Sequence, residues 1–149
     1  MYHSSVGQNC VMELDFAVDR TGNIDPKHAA RYREFGAWIN SCYATPLAAT
    51  GGFVNASQLE LTVPAGAVVD RVAVGEDLSG GQRILAYTVE AQIDGQHWQP
   101  FASGTSVGHK HISLVSKPVN GVSRLRLTVT KSVAAPAIKL AAFAPCPKG

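Results

Sequence analysis

The sequence predicts a mainly β protein, an antiparallel jelly-roll β-sandwich preceded by a single strand and helix. Three observations carry that prediction. From Gln58 onward the apolar residues mostly keep a two-residue beat, which sets them on one face of a pleated strand and leaves the polar residues to water. Between these runs stand short connections containing Gly or Pro, the punctuation of antiparallel strands. Before residue 43 the period changes: Tyr32, Phe35, Gly36 and Ile39 fall at i, i+3, i+4 and i+7, the spacing of one helix face.

In chain order, residues 11–18 (VMELDFAV) read as a strand and residues 19–22 (DRTG) as a turn. Asp25-Pro26 then opens a helix reaching about Ser41, with Asp25 able to cap free N–H groups and Pro26 at the tolerant first helical position. Residues 58–63 (QLELTV) alternate cleanly, and Pro64-Ala65-Gly66 turns the chain into a strand leading to Val74. The longest stripe is Leu85, Tyr87, Val89, Ala91 and Ile93; Asp94-Gly95 follows, a dipeptide that accepts positive φ, and residues 96–101 return as the second arm of a hairpin. Residues 122–130 (VSRLRLTVT) place Leu125, Leu127 and Val129 inward, and Ile138, Leu140 and Ala142 form a last short strand. A lone hairpin is marginal in water, so a second sheet must cover the apolar faces.

Composition narrows the function. The 149 residues fit one ordinary domain, and 46% hydrophobic with 16% charged residues is globular. A net charge of +2, scattered along the chain, argues against nucleic acid or an anionic membrane as partner. No apolar run approaches the roughly 20 residues of a membrane span, and the opening MYHSSVGQNC lacks the apolar core of a signal peptide.

Several residue groups invite a chemical reading. Cys10, Cys42 and Cys146 are few for a disulfide scaffold and badly spaced for zinc. They are either buried thiols or, for Cys42 and Cys146, which flank the sandwich, a bridge formed in an oxidising compartment. Asn55-Ala56-Ser57 is a glycosylation acceptor sequence and agrees with secretion. Glu13 and Asp15 share a face if residues 11–18 are a strand, so they are the one candidate carboxylate pair; hydrated surface carboxylates are the simpler reading, since no feature supplies walls around them. His109 and His111, at i and i+2, are the candidate metal pair, but no third ligand is evident and a surface strand is the better reading.

A resemblance adds to this reading. The order of a hydrophobic strand, Glu76, a small loop, Gly81-Gln82-Arg83-Ile84, a long strand ending Asp94-Gly95-x-x-Trp98, then Gly104-Thr105-Ser106-Val107-Gly108-His109-Lys110, resembles the discoidin-type, galactose-binding-like β-sandwich that follows the barrel in family 29 α-L-fucosidases. The preceding residues, with Asn9, Gly22, Ile24, Asp25, Phe35, Gly36 and Trp38, look like the last strand and helix of that family's (β/α)8 barrel. Glu13, Asp15 and Val18 depart from the family's pattern of Leu, Asn and Pro. The resemblance implies a division into a terminal barrel β-α unit at 1–42 and a sandwich at 43–149. It implies the C-terminal accessory region of an α-L-fucosidase, a glycosidase that removes α-L-fucose from glycans, without the nucleophile and acid/base carboxyls, which in the family stand on barrel segments upstream of these residues. No catalytic residue, cofactor or metal is therefore carried over. The implied partners are a fucosylated glycan or the barrel, and the implied compartment is secreted, lysosomal or extracellular. Glu76, Gln82 and Arg83 are either a structural clamp between strands or sugar contacts. A free-standing discoidin-like module that binds a carbohydrate or protein is the alternative.

Overall fold

The computed structural model describes residues 1–147. Helix α1 spans Pro26–Tyr43 and nine strands follow: β1 (Ala48–Ala49), β2 (Val54–Asn55), β3 (Gln58–Thr62), β4 (Val68–Glu76), β5 (Ile84–Ile93), β6 (His97–Gly104), β7 (His111–Asn120), β8 (Val122–Ser132) and β9 (Ala137–Phe143). All pair antiparallel, in two sheets. One has the order β1-β9-β4-β7, with β2 also on β9; the other has the order β3-β8-β5-β6. The two-sheet antiparallel sandwich expected from the alternation is therefore present.

Its core is the interdigitated inner faces. Val72 and Val74 of β4, Ile138 and Leu140 of β9, Tyr87, Val89 and Ala91 of β5, and Leu125 and Leu127 of β8 are buried in one cluster. Each large aliphatic side chain there contributes on the order of 1.5–3 kcal/mol relative to exposure. The β5–β6 turn is as expected, with Asp94 at φ 51° and Gly95 at φ 71°, the left-handed pair that matches the strand twist.

Three expectations shift. The β5 stripe does not begin at Leu85, which is 42% exposed, because register shifts against β8 between Ile84 and Tyr87 turn Ile84 inward in its place. Strand β7 begins at His111, so His109 lies in the turn before it and the two histidines do not alternate along one strand. Residues 11–18 are not a sheet strand; their one ladder contact is an isolated bridge from Val18 to Ile24. With no neighbouring strand to complete its hydrogen bonds, the segment lies over α1 instead, where the rings of Phe16 and Tyr32 have centroids 3.7 Å apart.

Helix α1 starts as predicted, Asp25 accepting from the Lys27 N–H at 2.7 Å with Pro26 at its first position. Its half-buried stripe includes Tyr32, Phe35 and Ile39.

Candidate functional site

The two sheets meet along a seam where β6 is an edge strand of one and β7 an edge strand of the other. Residues 7–9 run beside β7: the Ile112 N–H donates to the Gly7 carbonyl at 2.7 Å, Gln8 bridges to His111, and Asn9 Oδ1 accepts from the His109 N–H at 2.7 Å. Asn9 has φ 64°, a left-handed conformation that asparagine tolerates, and its amide fills the space where Gly108 has no Cβ. Between this arm and β6 is a groove of about 630 Å³ lined by residues including Gln8, Tyr87, Ser103, Thr105 and His111. It continues into a second hollow of about 570 Å³ past His3, Phe101 and Ser113. Neither lining includes a carboxylate, a lysine or an arginine.

Tyr87 is 1% exposed, and its hydroxyl has no hydrogen-bond partner among the described residues. Burial raises its pKa, an effect that the nearby Ser113 hydroxyl opposes. Gly104 is bare above it; a Cβ there would lie 2.8 Å from Tyr87 Oη. The His111 ring meets the Tyr87 ring edge-on, and burial lowers the His111 pKa, so at neutral pH the imidazole is an uncharged donor and acceptor.

Glu76, 1% exposed at the end of β4, accepts from the backbone N–H groups of Arg83 at 2.6 Å and Ile84 at 3.0 Å. It ties the loop after β4 to the start of β5. Arg83 points elsewhere, donating to the Ala135 carbonyl at 2.7 Å, and Gln82 is exposed. The three predicted residues are thus neighbours, but only Glu76 forms the clamp, and through backbone amides.

At the other end of β4, Arg71 is 1% exposed. Its Nη1 reaches both Asp70 oxygens at 2.8 and 3.0 Å, and its Nη2 donates to the Cys42 carbonyl at 3.3 Å, at the last turn of α1. The guanidinium also lies over the rings of Tyr43 and Phe143, 5.1 and 5.9 Å from their centroids. Tyr43 hydrogen-bonds His3, and burial pushes the Tyr43 pKa up to about 12 against the pull of Arg71. Burial also raises the Asp70 pKa and lowers that of His3. Cys42 and Cys146 are joined as a disulfide, Cα atoms 5.0 Å apart. Helix α1 is thereby fixed to the sandwich by a covalent bond, the hydrogen bond from Arg71 to the Cys42 carbonyl and an aromatic cluster. Sequence reasoning missed Arg71 and Tyr87, and neither carries a motif.

The remaining candidates are scattered. Glu13 and Asp15 are both exposed, and nothing walls them off from water. Among the described residues no group of three or more His, Cys, Asp or Glu side chains is placed to hold a metal ion. Cys10 is unpaired and exposed, contrary to the reading of the cysteines as buried thiols. Asn55 is exposed in β2.

No family model and no curated protein matches the chain. Solved structures do. A protein described as an α-L-fucosidase from Bacteroides thetaiotaomicron superimposes on 97% of the chain with a TM-score of 0.89 and 34% identity, using 32% of its own length. The chain resembles a portion of a family 29 α-L-fucosidase. A second such protein, from Bacteroides ovatus, matches 99% of the chain at 26% identity and a TM-score of 0.84, over 26% of itself. A glycoside hydrolase 29 family member from an unknown rumen bacterium matches 99% at 28% identity and 0.80, over 28% of itself. The chain therefore spans about a third or less of these relatives. The fucosidase likeness includes the amino-terminal arm and α1, since the superposition reaches nearly the whole chain. No helix is long and apolar enough to cross a membrane.

Proposed function

We propose that this chain is the C-terminal accessory region of an α-L-fucosidase and is not catalytic by itself. The observation that carries the proposal is the superposition of 97% of the chain on 32% of a fucosidase at 34% identity. In this reading residues 1–42 belong to the barrel's last β-α unit and residues 43–149 form the accessory sandwich. The reading gives a reason for the apolar groups that residues 11–24 leave to solvent, with Val11 95%, Val18 60% and Ile24 38% exposed. In the assembled enzyme they would lie against neighbouring barrel elements. A retaining glycosidase needs two carboxyl groups about 5 Å apart across the scissile bond, inside a pocket that holds the sugar; exposed Glu13 and Asp15 have no such pocket. The disulfide and the exposed Asn55 support an oxidising, secretory setting. The test is release of nitrophenol from an aryl α-L-fucoside by the purified chain. No turnover above a heat-killed control is expected; turnover abolished by Glu13→Gln or Asp15→Asn overturns the reading.

A second reading, a free-standing module that binds carbohydrate, is favoured by one observation, the uncharged polar groove at the β6–β7 seam.

A further inference from the structure

We propose that the groove between β6 and β7 is a binding site for one neutral pyranose unit of a glycan. The inference rests on the carbohydrate-directed readings above and gives them a place. A pyranose presents hydroxyl groups around its rim and patches of C–H on its faces. The groove offers both complements: Gln8, Ser103, Thr105 and His111 as donors and acceptors, and half-buried Ala86 and Ala102 with exposed Leu114 as apolar surface. Side chains of mixed donor and acceptor character suit hydroxyls, which both give and take hydrogen bonds.

Charge excludes the competing ligands. With no lysine or arginine in the lining, neither a phosphate, a sulfate nor a carboxylate sugar finds a counter-ion. With no aspartate or glutamate there, a cation finds no ligand. Burial of His111 lowers its pKa and so favours the uncharged imidazole. The buried Tyr87 hydroxyl, with the Ser113 hydroxyl nearby, lies just beneath the bare Gly104. About 630 Å³ is ample for one pyranose and admits part of a second. Gln8 and Asn9 come from the amino-terminal arm and the rest of the lining from the sandwich, so the site exists only with that arm docked.

The measurement is amide NMR on the isotope-labelled full chain, titrated separately with the methyl glycosides of L-fucose, D-galactose and N-acetylneuraminic acid. The expected result is saturable shifts at Gln8, residues 103–106 and His111 with a neutral sugar and none with the charged one. Ser103→Trp fills the groove from an exposed edge position, and His111→Phe removes its central polar group; each is expected to weaken binding about tenfold or more while the remaining amide spectrum stays dispersed. Saturable shifts confined to the outer face of the β3-β8-β5-β6 sheet, around Trp98 and Arg126, would overturn the groove and keep sugar binding. Binding of the charged sugar alone would overturn the neutral-ligand claim. No shift with any of the three in a folded sample would overturn the site and the carbohydrate-module reading together, and leaves the fucosidase relation to stand or fall on the aryl-fucoside assay.

Discussion

Replacing Glu76 separates the clamp from the sugar-contact reading of the loop after β4. Its carboxylate accepts two backbone N–H groups, from Arg83 and Ile84, and Ile84 is fully buried. Glu76→Ala leaves both donors without a partner. An unsatisfied buried donor costs about 1–3 kcal/mol, so the variant is expected to lose about 2–5 kcal/mol. For a domain of this length that is roughly 5–15 °C in melting temperature. Glu76→Gln keeps a carbonyl acceptor for the same amides but loses the charge assistance, and is expected to lose about 1–2 kcal/mol. Gln82→Ala, at an exposed position, should lie within about 0.5 kcal/mol of the parent. Urea denaturation followed by circular dichroism reads all three, with an unchanged m-value as the sign that only the folded state was altered. A Glu76→Ala chain as stable as the parent would refute the clamp, and loss of sugar binding without loss of stability would hand the residue back to recognition.

Other outcomes follow from the contacts at the far end of β4. Mutating Cys42 and Cys146 together to serine opens a loop with a sequence separation of 104 residues and should cost up to about 4–5 kcal/mol, read from melts with and without reductant. Arg71→Met should cost about 3–5 kcal/mol by stranding Asp70, and the double variant with Asp70→Asn should recover part of it; equal losses in single and double variants would show that the ion pair is not what matters. Because the folded pKa values of His3 and His111 lie below the ordinary value, the unfolded chain takes up these protons first. Stability should therefore fall as pH drops through about 6.5, and Ala substitution of both should flatten that limb of a pH series of melts. Tyr43, with a folded pKa of about 12, should add a loss between about pH 10 and 12, where only the unfolded chain releases the proton. Deleting residues 1–41 should leave a cooperative, mainly β domain that melts lower than the full chain, since Tyr2 and the residue 7–9 pairing with β7 go with the arm; an unfolded product would mean that the proposed boundary near residue 42 is misplaced.

The sandwich was legible because its strands have one dry face, and alternation reports a dry face directly. Strand β8 shows this most simply, with Leu125, Leu127 and Val129 buried between half-buried or exposed polar neighbours. Alternation fails where burial comes from outside the sheets. Arg71 stands on the outer side of β4 and reads as a solvated cation; only α1, the disulfide and the arm that returns to the sandwich make it buried. Strand β7 was read only around His111 and not through to Asn120, since Lys117, Pro118 and Asn120 interrupt its apolar pattern at a sheet edge. Residues 11–18 carry strand-like composition with no strand beside them, and a single sequence does not reveal whether a partner strand is at hand. The seam groove was invisible because Gln8, Tyr87, Ser103 and His111 come from distant parts of the chain and share no spacing.

We propose these residues as the accessory end of a fucosidase. Exchange is the most direct test of that proposal: the corresponding third of the Bacteroides thetaiotaomicron relative is replaced by this chain, and aryl α-L-fucoside hydrolysis is measured in the chimera and in the relative truncated at the same junction. The chimera is expected to be soluble and to hydrolyse the fucoside at a rate within reach of the parent, while the truncated protein does not. A chimera that is folded but no more active than the truncated protein would contradict the proposal.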